Sequence, residues 1–192
     1  MQKTQIDLFG AAPGLPEGFV YRDEVVPRSD EETLLRELRL LPFREFEFHG
    51  YLGKRRVVSY GWRYDFSAKS LNKANDIPPF LLHLREIAAH FAELRPADLQ
   101  HVLVTEYAPG AGIGWHRDKA VFGDVVGVSL LSACVFRLRR RAGSGWDRVG
   151  VTAQPRSAYL LRGPSRSDWE HSIPPVDTLR YSITFRNLRS SD

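Results

Sequence analysis

His116 and Asp118 stand two positions apart in the stretch GIGWHRDKAVFG, residues 112 to 123, just after a Pro-Gly turn. In an extended segment, side chains at i and i+2 leave the same face, so this pair can point together while Trp115 and Arg117 point away. An imidazole and a carboxylate so placed can grip one metal ion. With a distant second histidine they form the facial set that leaves positions open on a non-haem iron. They can equally share no more than a hydrogen bond in a loop, so H-x-D alone decides nothing and its partners must be sought elsewhere. The last histidine of the chain, His171, lies in SDWEHSIP. A later strand of a jelly roll folds back beside an earlier one, which makes His171 the candidate third ligand. The alternative is a core histidine satisfied by backbone groups.

The second group of interest is LRYSITFRNL, residues 179 to 188. Strand alternation puts Arg180, Ser182, Thr184 and Arg186 on one face and Tyr181, Ile183 and Phe185 on the other. A buried guanidinium without an anion is costly, so an inward arginine here implies a carboxylate partner, and a diacid would supply one. The two arginines are about 20 Å apart along the backbone, at ~3.3 Å per residue. They bracket a small ligand only if both stems lean inward, or one holds the ligand and the other a metal ligand. Read the other way, Ser182 and Thr184 make this a strand that faces solvent.

The elements that must position these residues are also legible. Ser29 followed by Glu32 fits a capping box, with Leu34, Leu35, Leu38 and Leu41 at helical spacing until Pro42. A second helix is predicted after Pro78 and Pro79, its stripe of Leu81, Leu84, Ile87, Ala88, Phe91 and Leu94 running to Pro96. His83 and His90 on that helix read as surface residues. From residue 100 onward the period is that of strands: HVLVTEY, DVVGVSLL, CVFRLRR, RVGVTA, SAYLLRG and LRYSITFR. Short strands after two helices predict a mainly β chain, a barrel or jelly roll buttressed by N-terminal helices. Helical crossovers are missing from the second half, which argues against a parallel doubly wound sheet.

Composition bounds the rest. The 192 residues suit one domain, and 43% apolar with 11% aromatic content indicates a folded globular chain. The segment MQKTQIDLFGAAPG carries no apolar run long enough for a signal peptide, and no later stretch reaches the length of a membrane span. The expectation is therefore a cytoplasmic protein without membrane contact. Cys134, in SLLSACVF, reads as a small buried hydrophobe. The formal charge is +4, yet 22 arginines stand against five lysines. The densest patch, FRLRRR at residues 136 to 141, alternates Phe136 and Leu138 with Arg137 and Arg139. It reads as a half-buried strand with a cationic outer face, either an edge strand protected by charge or a phosphate-binding surface.

Taken together, YAPGAGIGWHRD, the histidine at 171 and RYSITFR resemble the AlkB family of iron(II)- and 2-oxoglutarate-dependent oxygenases, over roughly residues 50 to 189. The resemblance implies a double-stranded β-helix in which His116, Asp118 and His171 hold iron and act as the catalytic centre. It implies that Arg180 pairs with the distal carboxylate of 2-oxoglutarate, helped by the Tyr107 hydroxyl. Arg186 would sit nearer the metal, steadying Asp118 and the other carboxylate. Thr105 and Ser182 stand where many relatives have asparagine and remain polar contributors to the cosubstrate site. The implied layout is a flexible segment 1–14 and a single domain 15–192, divided into helical support and substrate lid (15–98) and jelly-roll core (99–189). The implied chemistry consumes 2-oxoglutarate and O2 and yields succinate and CO2. Hydroxylation of an N-alkyl carbon then gives a hemiaminal that releases formaldehyde and the bare base.

Substrate choice must lie outside that centre. SYGWRYDFS, residues 59 to 67, places Tyr60, Trp62, Tyr64 and Phe66 at period two beside Arg55, Arg56 and Arg63. Aromatics stack on an extruded base and arginines meet phosphates, which suits alkylated DNA or RNA that is single-stranded or has a flipped base. The stripe is equally suited to the inner face of a hairpin packed on the core. In the AlkB-like reading this is the nucleotide-recognition lid, with Tyr64 and Phe66 as its Y-x-Y element. Some relatives have an acidic base-reading residue two positions after the metal aspartate; this chain has Ala120 there. QIDLF, with Gln5, Leu8 and Phe9, looks like the peptides that dock on bacterial sliding clamps, or it packs on its own domain. The alternatives to nucleobase dealkylation are an oxygenase acting on a protein or small molecule, and a non-enzymatic nucleic-acid or clamp-binding module.

Overall fold

The computed structural model describes residues 14–48, 51–65 and 70–189. Among the described residues thirteen strands and three α-helices follow in chain order: β1 (Phe19–Arg22), α1 (Arg28–Leu38), β2 (Arg44–Phe48), β3 (Tyr51–Tyr60), β4 (Trp62–Asp65), β5 (Ser70–Lys73) and α2 (Leu82–Phe91). Then come β6 (His101–Tyr107), β7 (Ile113–His116), β8 (Phe122–Leu130), β9 (Cys134–Ala142), β10 (Gly145–Ala153), β11 (Ala158–Leu161), α3 (Pro164–Ser167), β12 (Glu170–Ile173) and β13 (Arg180–Leu188). They form a seven-stranded sheet, ordered β1-β11-β8-β13-β6-β3-β2, and a four-stranded sheet, ordered β10-β9-β12-β7, with β4 and β5 as a separate hairpin.

Alternation along β6, β8, β11 and β13 gives the large sheet two buried faces. Its outer face, carrying Val102, Val104, Val126, Val128, Ile183 and Phe185, is covered by Leu34 and Leu38 of α1 and by Leu84, Ala88 and Phe91 of α2. Its inner face meets the small sheet through Phe19, Tyr159, Phe136, Leu138 and Ile173. Phe136 and Tyr159 meet across the gap as a tilted pair, 4.4 Å between ring centroids. That contact explains the glycine in DVVGVSLL: a Cβ on Gly127 would lie 2.1 Å from the Tyr159 ring. Burial on both faces is continuous along most of β8 and β13, and in β13 it encloses the polar face of Arg180, Ser182, Thr184 and Arg186 as well as the apolar one.

Several expectations are corrected. The Ser29–Glu32 capping box does not form; the N-cap is Pro27, which makes no side-chain cap bond, and Ser29 instead donates to Asp30. The helix already begins at Arg28, so Ser29 lies inside its first turn, two residues past the N-cap position. The second helix ends at Phe91, not near Pro96, because Glu93 adopts φ 56°. The amides of Glu93 and Leu94 then bond back to the carbonyls of His90 and Ala89, a Schellman closure that returns Leu94 to the core. Residues 15–98 are not helical support alone, since β1, β2 and β3 complete the large sheet. The cationic strand β9 is interior to its sheet, between β10 and β12, so edge protection does not explain its arginines. Cys134, His83 and His90 lie as read, the first buried and the two histidines exposed. Among the described residues no helix is long and apolar enough to cross a membrane.

Candidate active site

Chain order scatters the candidate residues; sheet pairing gathers them. β7 and β12 are neighbours in the small sheet, and His171 is the direct cross-strand partner of His116. Their rings stand 4.2 Å apart between centroids. Asp118 lies two residues beyond the end of β7, with Oδ2 3.7 Å from His171 Nε2. Its other oxygen, Oδ1, accepts from Arg186 Nε at 2.9 Å and Nη2 at 2.6 Å. The H-x-D pair therefore converges with the distant histidine, although only His116 is in the strand.

Hydrogen bonding fixes which atoms are free to bind. His116 Nδ1 lies 2.9 Å from the Gly114 carbonyl, which can only accept, so the proton is on Nδ1 and the lone pair on Nε2. Burial pushes the His171 imidazole down to about 3, with His116 adding to the fall and Asp118 opposing it, so the ring is neutral at pH 7. Burial, against the pull of Asp118, also lowers His116. Burial would raise the Asp118 carboxyl, but Arg186, His171 and His116 outweigh it and hold it well below the usual range. The result is one carboxylate and two neutral imidazoles. Asp118 Oδ2 is buried with no hydrogen-bond partner.

The second half of the site is the inner face of β13. Arg180, Ser182, Thr184 and Arg186 are all buried, which removes the solvent-facing alternative. Arg180 pairs across the ladder with Tyr107 and Ser182 with Thr105. Arg180 is 1% exposed, lies 4.9 Å over the Tyr107 ring, and donates through Nη2 to Ser129 Oγ at 2.8 Å. Its Nε and Nη1 have no partner. A buried guanidinium with two unsatisfied donors is the complement of a carboxylate. Tyr107 keeps its proton, because burial raises its pKa more than Arg180 lowers it.

Of the residues expected to meet substrate, Trp62 and Tyr64 lie half-buried on the β4–β5 hairpin, and Lys119 Nζ stands 5.2 Å from the Tyr64 ring centroid. Lys119 directly follows Asp118, so this contact joins the hairpin to the loop after the candidate metal ligand. Tyr60 is separated from this group. It is 8% exposed in the core beneath the helices, because Gly61, at φ 75°, interrupts the strand alternation. Only glycine fits there, since a Cβ would stand 2.0 Å from the Gln100 carbonyl oxygen. Arg56 pairs with Glu106 at 2.7 Å. Phe66, the Arg63 side chain, and Gln5, Leu8 and Phe9 lie outside the described residues.

Sequence reading missed three supports. His101 Nδ1 lies 3.3 Å from Arg186 Nη1, behind the Asp118 pair. Ser129 fixes Arg180. Arg166, in α3, donates to the carbonyls of Lys119, Phe122 and Gly123 and so clamps the loop after Asp118. Nothing in GPSRSDW signals that role. A depression of about 460 Å³, lined by Arg22, Glu86, His90 and Phe91 among others, lies away from these groups. The unpaired buried polar atoms, not the size of a hollow, mark the site.

A family model described as the 2-oxoglutarate–Fe(II) oxygenase superfamily matches residues 22–186. The chain belongs to that superfamily. Among relatives, the alkylated DNA repair protein ALKBH8 homolog of Arabidopsis thaliana is 26% identical over 186 residues, covering 83% of this chain and 54% of the relative. The chain thus spans about half that relative's length. The solved structure of OsALKBH1 superposes with a TM-score of 0.69 at 18% identity, covering 91% of this chain and 100% of that one. A Pseudomonas putida prolyl-4-hydroxylase gives 0.60 at 13% identity, covering 90% and 94%. At such identities the structural likeness carries the fold alone, a double-stranded β-helix. Iron(II), 2-oxoglutarate and O2 are the metal and cosubstrates that membership of this superfamily implies.

The residues present fit those groups. Among the described residues no three His, Cys, Asp or Glu side chains already close on the spacing of a metal centre. Adjacent ligands at ~2.1 Å from one ion stand about 3 Å apart, so His171 and Asp118 need to approach by less than an ångström. The unsatisfied Oδ2 of Asp118 and the open donors of Arg180 are what a cation and a dicarboxylate would complete.

Proposed function

We propose that this AlkB-like oxygenase oxidatively dealkylates N-alkylated nucleobases in DNA or RNA, presented in a single strand or as a flipped base. The observation that carries the substrate choice is the β4–β5 hairpin, which sets Tyr64 beside Lys119 at the loop that follows Asp118. An aromatic face next to a cation suits a base and its phosphate. The similarity to a relative named for repair of alkylated DNA supports the same choice.

In this reading His116 Nε2, Asp118 Oδ2 and His171 Nε2 hold the iron. Arg186 occupies Oδ1 of Asp118 and so leaves Oδ2 facing the metal. Arg180, with the Tyr107 hydroxyl, receives the distal carboxylate of 2-oxoglutarate, and Thr105 and Ser182 line the polar strip between them. Iron and 2-oxoglutarate, when bound, would supply the oxidising chemistry: 2-oxoglutarate would lose CO2, with one oxygen atom of O2 entering succinate and the other the N-alkyl carbon. The resulting hemiaminal breaks its C–N bond to release an aldehyde and the base. Trp62 and Tyr64 stack on that base. Gln5, Leu8 and Phe9 dock on a sliding clamp; a peptide of residues 1 to 14 that shows no saturable binding to purified clamp removes that part.

The test is mass spectrometry on matched DNA and RNA single strands carrying 1-methyladenine, 3-methylcytosine or ethenoadenine, with iron(II), 2-oxoglutarate and O2. Loss of alkyl mass with matching succinate is the expected result. Succinate without any base change overturns the nucleobase reading in favour of a protein or small-molecule substrate.

A further inference from the structure

The outer face of the small sheet concentrates charge in a way its own stability does not need. Register places Arg141 opposite Trp146 and Arg139 opposite Arg148, with Arg137 next along β9. On the other side β12 contributes Glu170 opposite Arg139 and Ser172 opposite Arg137. Beyond it lies Trp115 of β7, facing away from the candidate metal site. Arg139 is held between two indoles, its guanidinium carbon 4.4 Å from the Trp115 centroid and 4.1 Å from that of Trp146. Arg137 covers Trp115 at 5.0 Å and Arg141 covers Trp146 at 4.9 Å.

Four guanidinium groups on this face meet one carboxylate. Glu170 accepts from Arg139 at 2.7 Å. Arg141 and Arg148 are exposed, and neither has an ion pair among the described residues. Like charges directly opposite across a ladder, as Arg139 and Arg148 are, destabilise a sheet. A polyanion relieves that repulsion. Arg141 and Arg148 stand diagonally across the β9–β10 ladder, about 7–8 Å apart, on the scale of one extended nucleotide. The face also begins on β7, the edge strand that carries His116 on its opposite side.

We propose that this face is a docking surface for the sugar–phosphate backbone of a single-stranded nucleic acid, beyond the nucleotide that enters the active site. Arg141, its guanidinium over Trp146, and Arg148 are its phosphate contacts. The inference rests on the nucleobase reading above.

The experiment measures affinity of the full chain for an unmodified fluorescent single-stranded oligonucleotide across a salt series. It compares wild type, R141E/R148E, R141K/R148K and a control of equal charge change at the two ends of α1, R28E/R39E. Loss of two contacts lowers the slope of log K against log salt by roughly 1.4, at about 0.7 per phosphate on a single strand. We expect R141E/R148E to bind at least about tenfold more weakly at low salt. R141K/R148K should bind close to wild type, and succinate formed without nucleic acid should be unchanged in both. If R141E/R148E matches R28E/R39E in slope and affinity while wild type dealkylates oligonucleotides, the surface is wrong and the function stands. If wild type neither binds nor dealkylates any oligonucleotide, both fall.

Discussion

Asp118 divides its two oxygens between two tasks, one on Arg186 and the other unpartnered. Removing His116 or Asp118 should therefore abolish succinate formation, but with different side effects. His116→Ala should leave circular dichroism and melting near wild type. Asp118→Ala also strands a buried Arg186, a loss of about 3–5 kcal/mol seen as a lower melting temperature. An active His116→Ala protein would remove the iron assignment. Arg180→Ala should raise the 2-oxoglutarate KM about thirtyfold or more, ~2 kcal/mol at the least, with little change in kcat. An unchanged KM would put the cosubstrate elsewhere. His171 gives a pH signature in metal-free protein. Its folded-state value of about 3 is depressed from an ordinary 6.5, so the unfolded chain takes up a proton that the fold refuses. Stability is full above about 6.5 and falls as pH drops toward about 3, as thermal melts in that window should show. His171→Gln should flatten that decline; an equally steep one would mean that other groups govern it.

At the scale of elements, β7 and β12 bring the histidines together, β13 sets Arg180 and Arg186 on one face, and α3 ties down the loop between His116 and β8. Arg166 does the last through three carbonyls at 2.7 to 3.0 Å. Arg166→Met should weaken metal binding by about 10- to 100-fold, the usual range for a residue that orients a ligand. The 2-oxoglutarate KM at saturating metal should not move. A metal titration that matches wild type would make Arg166 a packing residue only. The hairpin β4–β5 shows how far local patterning can mislead. Period two from Tyr60 to Phe66 reads as one stripe, yet a single left-handed glycine separates Tyr60, which enters the core, from Tyr64, which lies beside Lys119.

For the whole molecule, the candidate metal site lies between two sheets, so its ligands should hold the sheets together. Mn(II) with 2-oxoglutarate, without oxygen, should stabilise the folded state by about 2.7 kcal/mol at a hundredfold excess over Kd. That raises the melting temperature by roughly 5–10 °C for a chain of this size. Arg180→Ala should lose the share due to 2-oxoglutarate; a shift as large as wild type's would contradict the site. Much of this architecture was legible in the chain. Alternation fixed β6, β8, β9, β11 and β13 because each strand's faces meet different surroundings. The motif HRD, His171 and RYSITFR named the candidate centre because its chemistry admits few other side chains. Tertiary structure alone decided what depends on distant partners: that β9 is interior, that Arg56 is taken by Glu106, that Tyr60 is core, and that Arg166 and His101 back the site. Those roles come from cross-strand register and from where loops close, and neither leaves a local periodic trace in sequence.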